Sequence, residues 1–127
     1  MPTYNPVSQI LQSHVLTVSR NLPDVDNQVA YTGVGFRPTV LIFHGAGLNI
    51  DDASWGFYSG TTPTQGAVQE YANLFTQNPG ALIRQGHALG AYVDATVVSL
   101  DADGFTLQWT KTGAPVGQLQ GSMICLR

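Results

Sequence analysis

Apolar and polar residues alternate with a period of two along much of this 127-residue chain. In Phe105–Thr110, "FTLQWT", the side chains of Phe105, Leu107 and Trp109 fall on one side. Thr106, Gln108 and Thr110 fall on the other, as in a strand with one buried and one wet face. No segment keeps a helical i, i+3, i+4, i+7 repeat over three turns; only Ser8–Ser13 and Val68–Phe75 could form a short helix. Strand-like runs recur instead at His14–Ser19, Gln28–Thr32, Thr39–His44, Ser54–Ser59, Ala67–Ala72, Ala81–His87, Tyr92–Leu100, Phe105–Thr110 and Ser122–Leu126. Between them lie "NLPDVDN", "GVGFRP", "GAGLNIDD", "GTTPTQG", "QNPG", "DADG" and "KTGAPVG", all rich in turn formers. The expectation is an all-β antiparallel sandwich, jelly-roll-like, of about eight strands in one domain over residues 13–127. Residues 1–12, with Pro2 and Pro6, read as an N-terminal arm.

Two stretches refine this picture. Val40–Phe43, "VLIF", is apolar on both faces, which predicts a central strand covered on both sides, by a second subunit if not by the chain itself. "DADG" between Leu100 and Phe105 predicts a hairpin, with Asp103 and Gly104 in the turn and Gly104 supplying a positive φ.

Composition narrows the function classes. Charged residues are 10% of the chain, against roughly 25% in ordinary soluble domains, and the formal net charge is −3. The five cations are scattered, so no phosphate-binding surface is expected and nucleic acid is not a predicted partner. No apolar run approaches the length of a membrane span, and the N-terminus lacks the pattern of a secretion signal. Membrane association is not predicted. Cys125, the single cysteine, reads as a buried, inert thiol.

Candidate chemistry is sparse. "HGAG" at His44–Gly47 is close to an oxyanion-hole loop of α/β-hydrolases, yet no Gly-x-Ser-x-Gly elbow exists; "GHALG" at Gly86–Gly90 is its nearest mimic. His44 therefore reads as a strand-end residue, with Gly45 and Gly47 turning the chain. His14, His44 and His87 are not at ligand spacing for a metal. Asp101 and Asp103 open like a calcium loop, but Thr112 stands where its closing glutamate belongs. Eight scattered acids single out no carboxylate pair for glycoside hydrolysis. No cofactor and no catalytic activity are predicted. In "SWGFYSG", Trp55 and Phe57 read first as core-facing residues; a glycan-stacking surface beside Asn49, Asp51 and Asp52 is the alternative.

Three segments together carry a resemblance: "VAYTGVGFRPTVLIF" (Val29–Phe43), "SWGFYSG" (Ser54–Gly60) and "VVSLDADGFTLQW" (Val97–Trp109). They resemble small β-sandwich proteins encoded among the structural genes of tailed bacteriophages and prophages, in which a Gly-Phe-x-Pro turn enters an apolar strand and a Ser-x-Asp-Ala-Asp-Gly-Phe-Thr-Leu hairpin follows. In this chain Gly35, Phe36 and Pro38 form the turn, where Gly35 closes it, Phe36 plugs one end of the sandwich and Pro38 starts the strand. The resemblance implies a virion protein on the capsid or tail exterior, present in the host cytoplasm during assembly. It would be a decoration or cement protein bound to the major capsid protein or other virion proteins, as a homo-oligomer for which a trimer is expected. A tail-associated receptor-binding or carbohydrate-binding module is the alternative, with a glycan as ligand. The expected contact residues are Tyr4, Ile10 and Leu11 of the arm for attachment, and Asn49, Asp51 and Trp55 for self-association.

Overall fold

The computed structural model describes residues 11–48, 52–60, 64–71, 74–88 and 90–127. Its strands are β1 (Ser13–Asn21), β2 (Asn27–Tyr31), β3 (Val40–Leu48), β4 (Asp52–Ser59), β5 (Thr64–Tyr71), β6 (Leu74–Asn78), β7 (Ile83–Ala88), β8 (Ala91–Asp101), β9 (Gly104–Thr112) and β10 (Gln118–Leu126). They pair antiparallel into a six-stranded sheet, β1-β10-β3-β4-β5-β6, and a four-stranded sheet, β2-β9-β8-β7. Packed face to face, the two sheets make an all-β sandwich of ten strands. The chain crosses from β1 to β2 and back to β3, while β9 and β10 retrace that crossing as partners of β2 and β1. That double wrap is the jelly-roll element; β3 to β6 and β7 to β9 are hairpin meanders.

The count exceeds the expected eight partly because Leu74–Asn78, not among the expected strands, forms β6, and the described residues of the short-helix candidate Val68–Phe75 lie in strands. Val68–Tyr71 ends β5 and Leu74–Phe75 opens β6. Pairing with β4, which sets Val68 opposite Trp55, outweighs a weak local helical preference, as tertiary context routinely does.

The core draws on both sheets. Val18, Leu41, Phe43, Leu119 and Met123 meet Leu82, Val93, Phe105, Leu107 and Trp109, all essentially sealed from solvent. Each such large side chain contributes roughly 1.5–3 kcal/mol before entropy is subtracted. As expected for a central strand, β3 lies between β10 and β4, with Leu41 and Phe43 facing inward. Ile42 points the other way and is left exposed.

The Gly-Phe-x-Pro turn and the Asp-Ala-Asp-Gly hairpin, far apart in sequence, are docked on each other. The Asp103 carboxylate accepts hydrogen bonds from Gly33 N–H at 3.0 Å and Gly35 N–H at 2.6 Å, and its carbonyl accepts one from Val34 N–H at 3.1 Å. Gly33 and Gly35 have φ of 89° and 88°, left-handed values that glycine adopts without strain and that present both amides to one carboxylate. Arg37 adds a guanidinium hydrogen bond to the Leu100 carbonyl, and Phe36 is buried in the core cluster. Gly104 has no positive φ, contrary to expectation. Its requirement is proximity: a Cβ there would lie 1.8 Å from the Tyr31 carbonyl oxygen.

The two amide donors hold the Asp103 carboxyl below its ordinary value of 3.8. A depressed folded-state value means the clamp contributes fully above the ordinary carboxylate pKa and weakens as pH falls through the lower folded value. The Gly33 and Gly35 amide resonances are expected to hold steady from pH 7 to about 4 and to move together below it. Asp103→Asn should abolish that acid-dependent movement. Gly35 signals that ignore pH in the parent protein would refute the clamp.

Candidate functional site

The two outer faces of the sandwich differ in chemistry. On the four-stranded sheet, Arg84, Asp94, Thr96, Thr106, Gln108 and Thr110 face outward. Arg84 makes a two-point ion pair with Asp94 at 2.7 and 2.8 Å and stacks over the Tyr92 ring. That surface suits water. On the six-stranded sheet, one register row runs Val15, Ile124, Ile42, Phe57, Gly66 across β1, β10, β3, β4 and β5. The neighbouring row runs Thr17, Ser122, His44, Trp55, Val68, Gln77 and reaches β6. Among the described residues, six of the ten exposed large hydrophobic side chains lie on this face: Val15, Ile42, Leu48, Trp55, Phe57 and Phe75. The other four, Leu11, Val25, Val98 and Val116, are scattered.

The centre of the patch comes from an inversion in β4. Trp55 and Phe57 are 41% and 49% exposed, whereas Asp52, Ser54 and Gly56 point inward and are buried. The core-facing reading of Trp55 and Phe57 is thus overturned. The reason lies across the sandwich: a Cβ on Gly56 would stand 1.6 Å from the Leu82 carbonyl oxygen, so the backbones touch there and only glycine fits beneath. With Gly56 inward, the period of two sends both aromatics outward. Inside, Ser54 sits opposite Gln69, whose side-chain amide donates to the Gly86 carbonyl at 2.6 Å, and the Asp52 carboxylate accepts from Gly47 N–H at 3.1 Å. Alternation in "DASWGFYS" was visible in sequence, but a preference for aromatics inside chose the wrong side.

His44 does not end a strand. β3 continues through Gly45 and Gly47 to Leu48, neither glycine has a positive φ, and the Phe43 ring lies against Gly45. His44 faces outward and stacks on Trp55, with ring centroids 5.6 Å apart at 24°. Beside this pair lies a shallow groove of about 240 Å³. Ile42, Trp55, Phe57 and Val68 line it, and its polar side chains are those of His44 and Gln77. So few hydrogen-bonding groups suit an inserted apolar side chain better than a sugar.

Of the remaining candidates, the described ones lie away from the groove. Tyr4, Ile10, Asn49 and Asp51 lie outside the described residues. Leu11 is exposed next to Gln12, whose backbone pairs with Arg127. Among the described residues, no three His, Cys, Asp or Glu side chains come together as a metal cluster. Asp101 accepts hydrogen bonds from the Ser99 and Thr106 hydroxyls at 2.7 Å each, so its oxygens brace the hairpin just as those of Asp103 hold the turn. Cys125 is sealed in the core, and burial pushes its thiol up to about 11. Pro38 is buried just ahead of β3. No protein-family model matches the chain, and no curated protein or solved structure does.

Proposed function

We propose that this chain is a structural component of a bacteriophage virion, a decoration protein of the capsid exterior that works by packing against neighbours and catalyses nothing. The observation that supports this reading is the asymmetry of the sandwich: one outer face polar, the other apolar and aromatic. The exposed parts of Val15, Ile42, Leu48, Trp55, Phe57 and Phe75 amount to an apolar surface on the order of 500 Å². A specific interface needs about 800 Å² per partner, so this patch with its polar rim is the right size for the centre of one. Low charge favours copies of the chain as occupants, because little like-charge repulsion opposes their contact. Repetition of such contacts on one particle would add avidity.

The test is fractionation of the source particle into heads and tails, followed by gel and electron microscopy. The chain is expected in the head fraction, in many copies on the outer surface. Recovery with tails would favour the receptor-binding alternative, and absence from both fractions would defeat the virion reading.

A further inference from the structure

A second surface feature lies at the lateral seam where β1, the edge of one sheet, approaches β2, the edge of the other. There the molecule has a cleft of about 280 Å³. It differs from the aromatic groove in kind: Val29 is its single apolar lining residue, and the rest carry hydrogen-bonding groups. Arg20 forms part of its wall. That side chain is only 8% exposed, and no carboxylate pairs with it among the described residues. Its Nη1 donates to the Asn27 side-chain oxygen at 2.6 Å and its Nη2 to the Val25 carbonyl at 2.8 Å. The guanidinium also lies over the Trp109 ring, 5.3 Å from its centroid.

These contacts hold Arg20 in place without neutralising it. A guanidinium has five N–H groups, and its Nε is buried with no acceptor among the described residues. Burying a charge without an ion-pair partner is costly, so a guanidinium held this way beside a cleft points to a function beyond packing; its sealed Nε is not the group that would meet a ligand. Tyr31 stands nearby as a second fixed group. Its hydroxyl accepts from Trp109 Nε1 at 3.1 Å, which leaves its own proton available to donate. Burial raises its pKa, so the phenol keeps that proton. Asn21 ends β1, Asp24 lies in the turn that follows it, and Gln118 starts β10.

We infer that this cleft binds a polyhydroxylated ligand, a single pyranose residue of a glycan. The lining contains both a charged donor, Arg20, and a charged acceptor, Asp24, flanked by amides that do either. Each sugar hydroxyl needs a donor and an acceptor together, and that mixture satisfies it. A free anion would be repelled by Asp24, and an apolar ligand would strand the polar wall. The volume is at the small end for a ligand pocket, which suits one sugar ring and not an extended chain. Arg20 and Tyr31 are pre-positioned by Asn27, Val25 and Trp109, so binding costs little further ordering.

The two tryptophans make the test internally controlled. Trp109 donates to Tyr31 at the cleft, while Trp55 lies on the aromatic face, so their indole N–H resonances report the two surfaces separately. Full-length protein is titrated with methyl glucoside, methyl galactoside and N-acetylglucosamine up to about 100 mM, with sodium acetate as the anion probe. At least one sugar is expected to shift the Trp109 indole and the Asn21, Asp24 and Gln118 amides, leaving Trp55 unmoved. Asp24→Asn and Gln118→Ala, both at exposed positions, should each weaken that response about tenfold or more, with the folded spectrum otherwise intact. Silence at Trp109 with all three sugars would overturn the inference. So would a shift confined to Trp55, or an acetate response that Asp24→Asn strengthens. Silence at Trp109 and the acetate outcome leave the packing of the aromatic face untouched, whereas a shift confined to Trp55 would favour glycan stacking on that face.

Discussion

Gly56→Ala unfolds this protein or lowers its melting temperature by on the order of 10–20 °C, a loss of about 3–5 kcal/mol. The added methyl would have to occupy space 1.6 Å from the Leu82 carbonyl oxygen and 2.7 Å from its carbonyl carbon. Backbone cannot swing aside as a side-chain tip can. Leu82 is fully buried and its N–H donates to the Ala95 carbonyl at 2.8 Å, so retreat would break a ladder contact and open the core. Gly80→Ala is the matched control: the nearest atom to the place its methyl would take is Asn78 Oδ1 at 3.6 Å, an ordinary contact, and its φ is not positive, so it should change stability by less than about 0.5 kcal/mol. Thermal melts of the two variants decide the matter. If Gly56→Ala melts with the parent, the sheets do not touch there and the outward placement of Trp55 and Phe57 loses its cause.

The second large effect is on association. In the double variant Trp55→Ser, Phe57→Ser, self-association should weaken by about a hundredfold or more, because aromatic anchors at the centre of an interface each contribute about 2 kcal/mol or more. Folding should suffer far less, since 41% and 49% of these side chains already face solvent in the single chain. Sedimentation velocity over a concentration series measures the first quantity and a denaturant melt the second. Val98→Ser removes a similarly exposed apolar side chain from the other sheet, at 48%, and should leave association unchanged. A parent protein that stays monomeric to about 100 μM would sink self-association through this face. Capsid attachment through the same face would then have to be tested on particles.

Both predictions rest on β4, which is also where sequence reasoning went furthest astray. Alternation in Asp52–Ser59 is plain, but alternation alone never says which side is inside. Aromatics usually go inward, and here a single backbone contact at Gly56 reverses them. His44 departs from the sequence expectation for a related reason. Glycines at positions 45 and 47 read as a turn, whereas in the folded chain Gly45 gives room to the Phe43 ring within a continuous strand. The cleft at β1 and β2 had no signal at all, because its residues come from three separated segments that only the sheet order brings together.

What the chain specifies locally, it specifies well. The period of two, the spacing of Gly, Pro, Asn and Asp, and the lack of helical repeats were enough for an all-β antiparallel sandwich. They also placed Phe105, Leu107 and Trp109 in its core and joined β8 to β9 through the Asp101–Gly104 turn. These are properties of neighbouring residues, governed by backbone sterics and side-chain alternation. The direction in which β4 faces, the length of β3, the clamp of Asp103 on Gly33 and Gly35, and the seam that sets Arg20 beside Tyr31 were decided only in three dimensions. Each depends on a contact between segments distant in sequence, and excluded volume and hydrogen bonding act on distance in space.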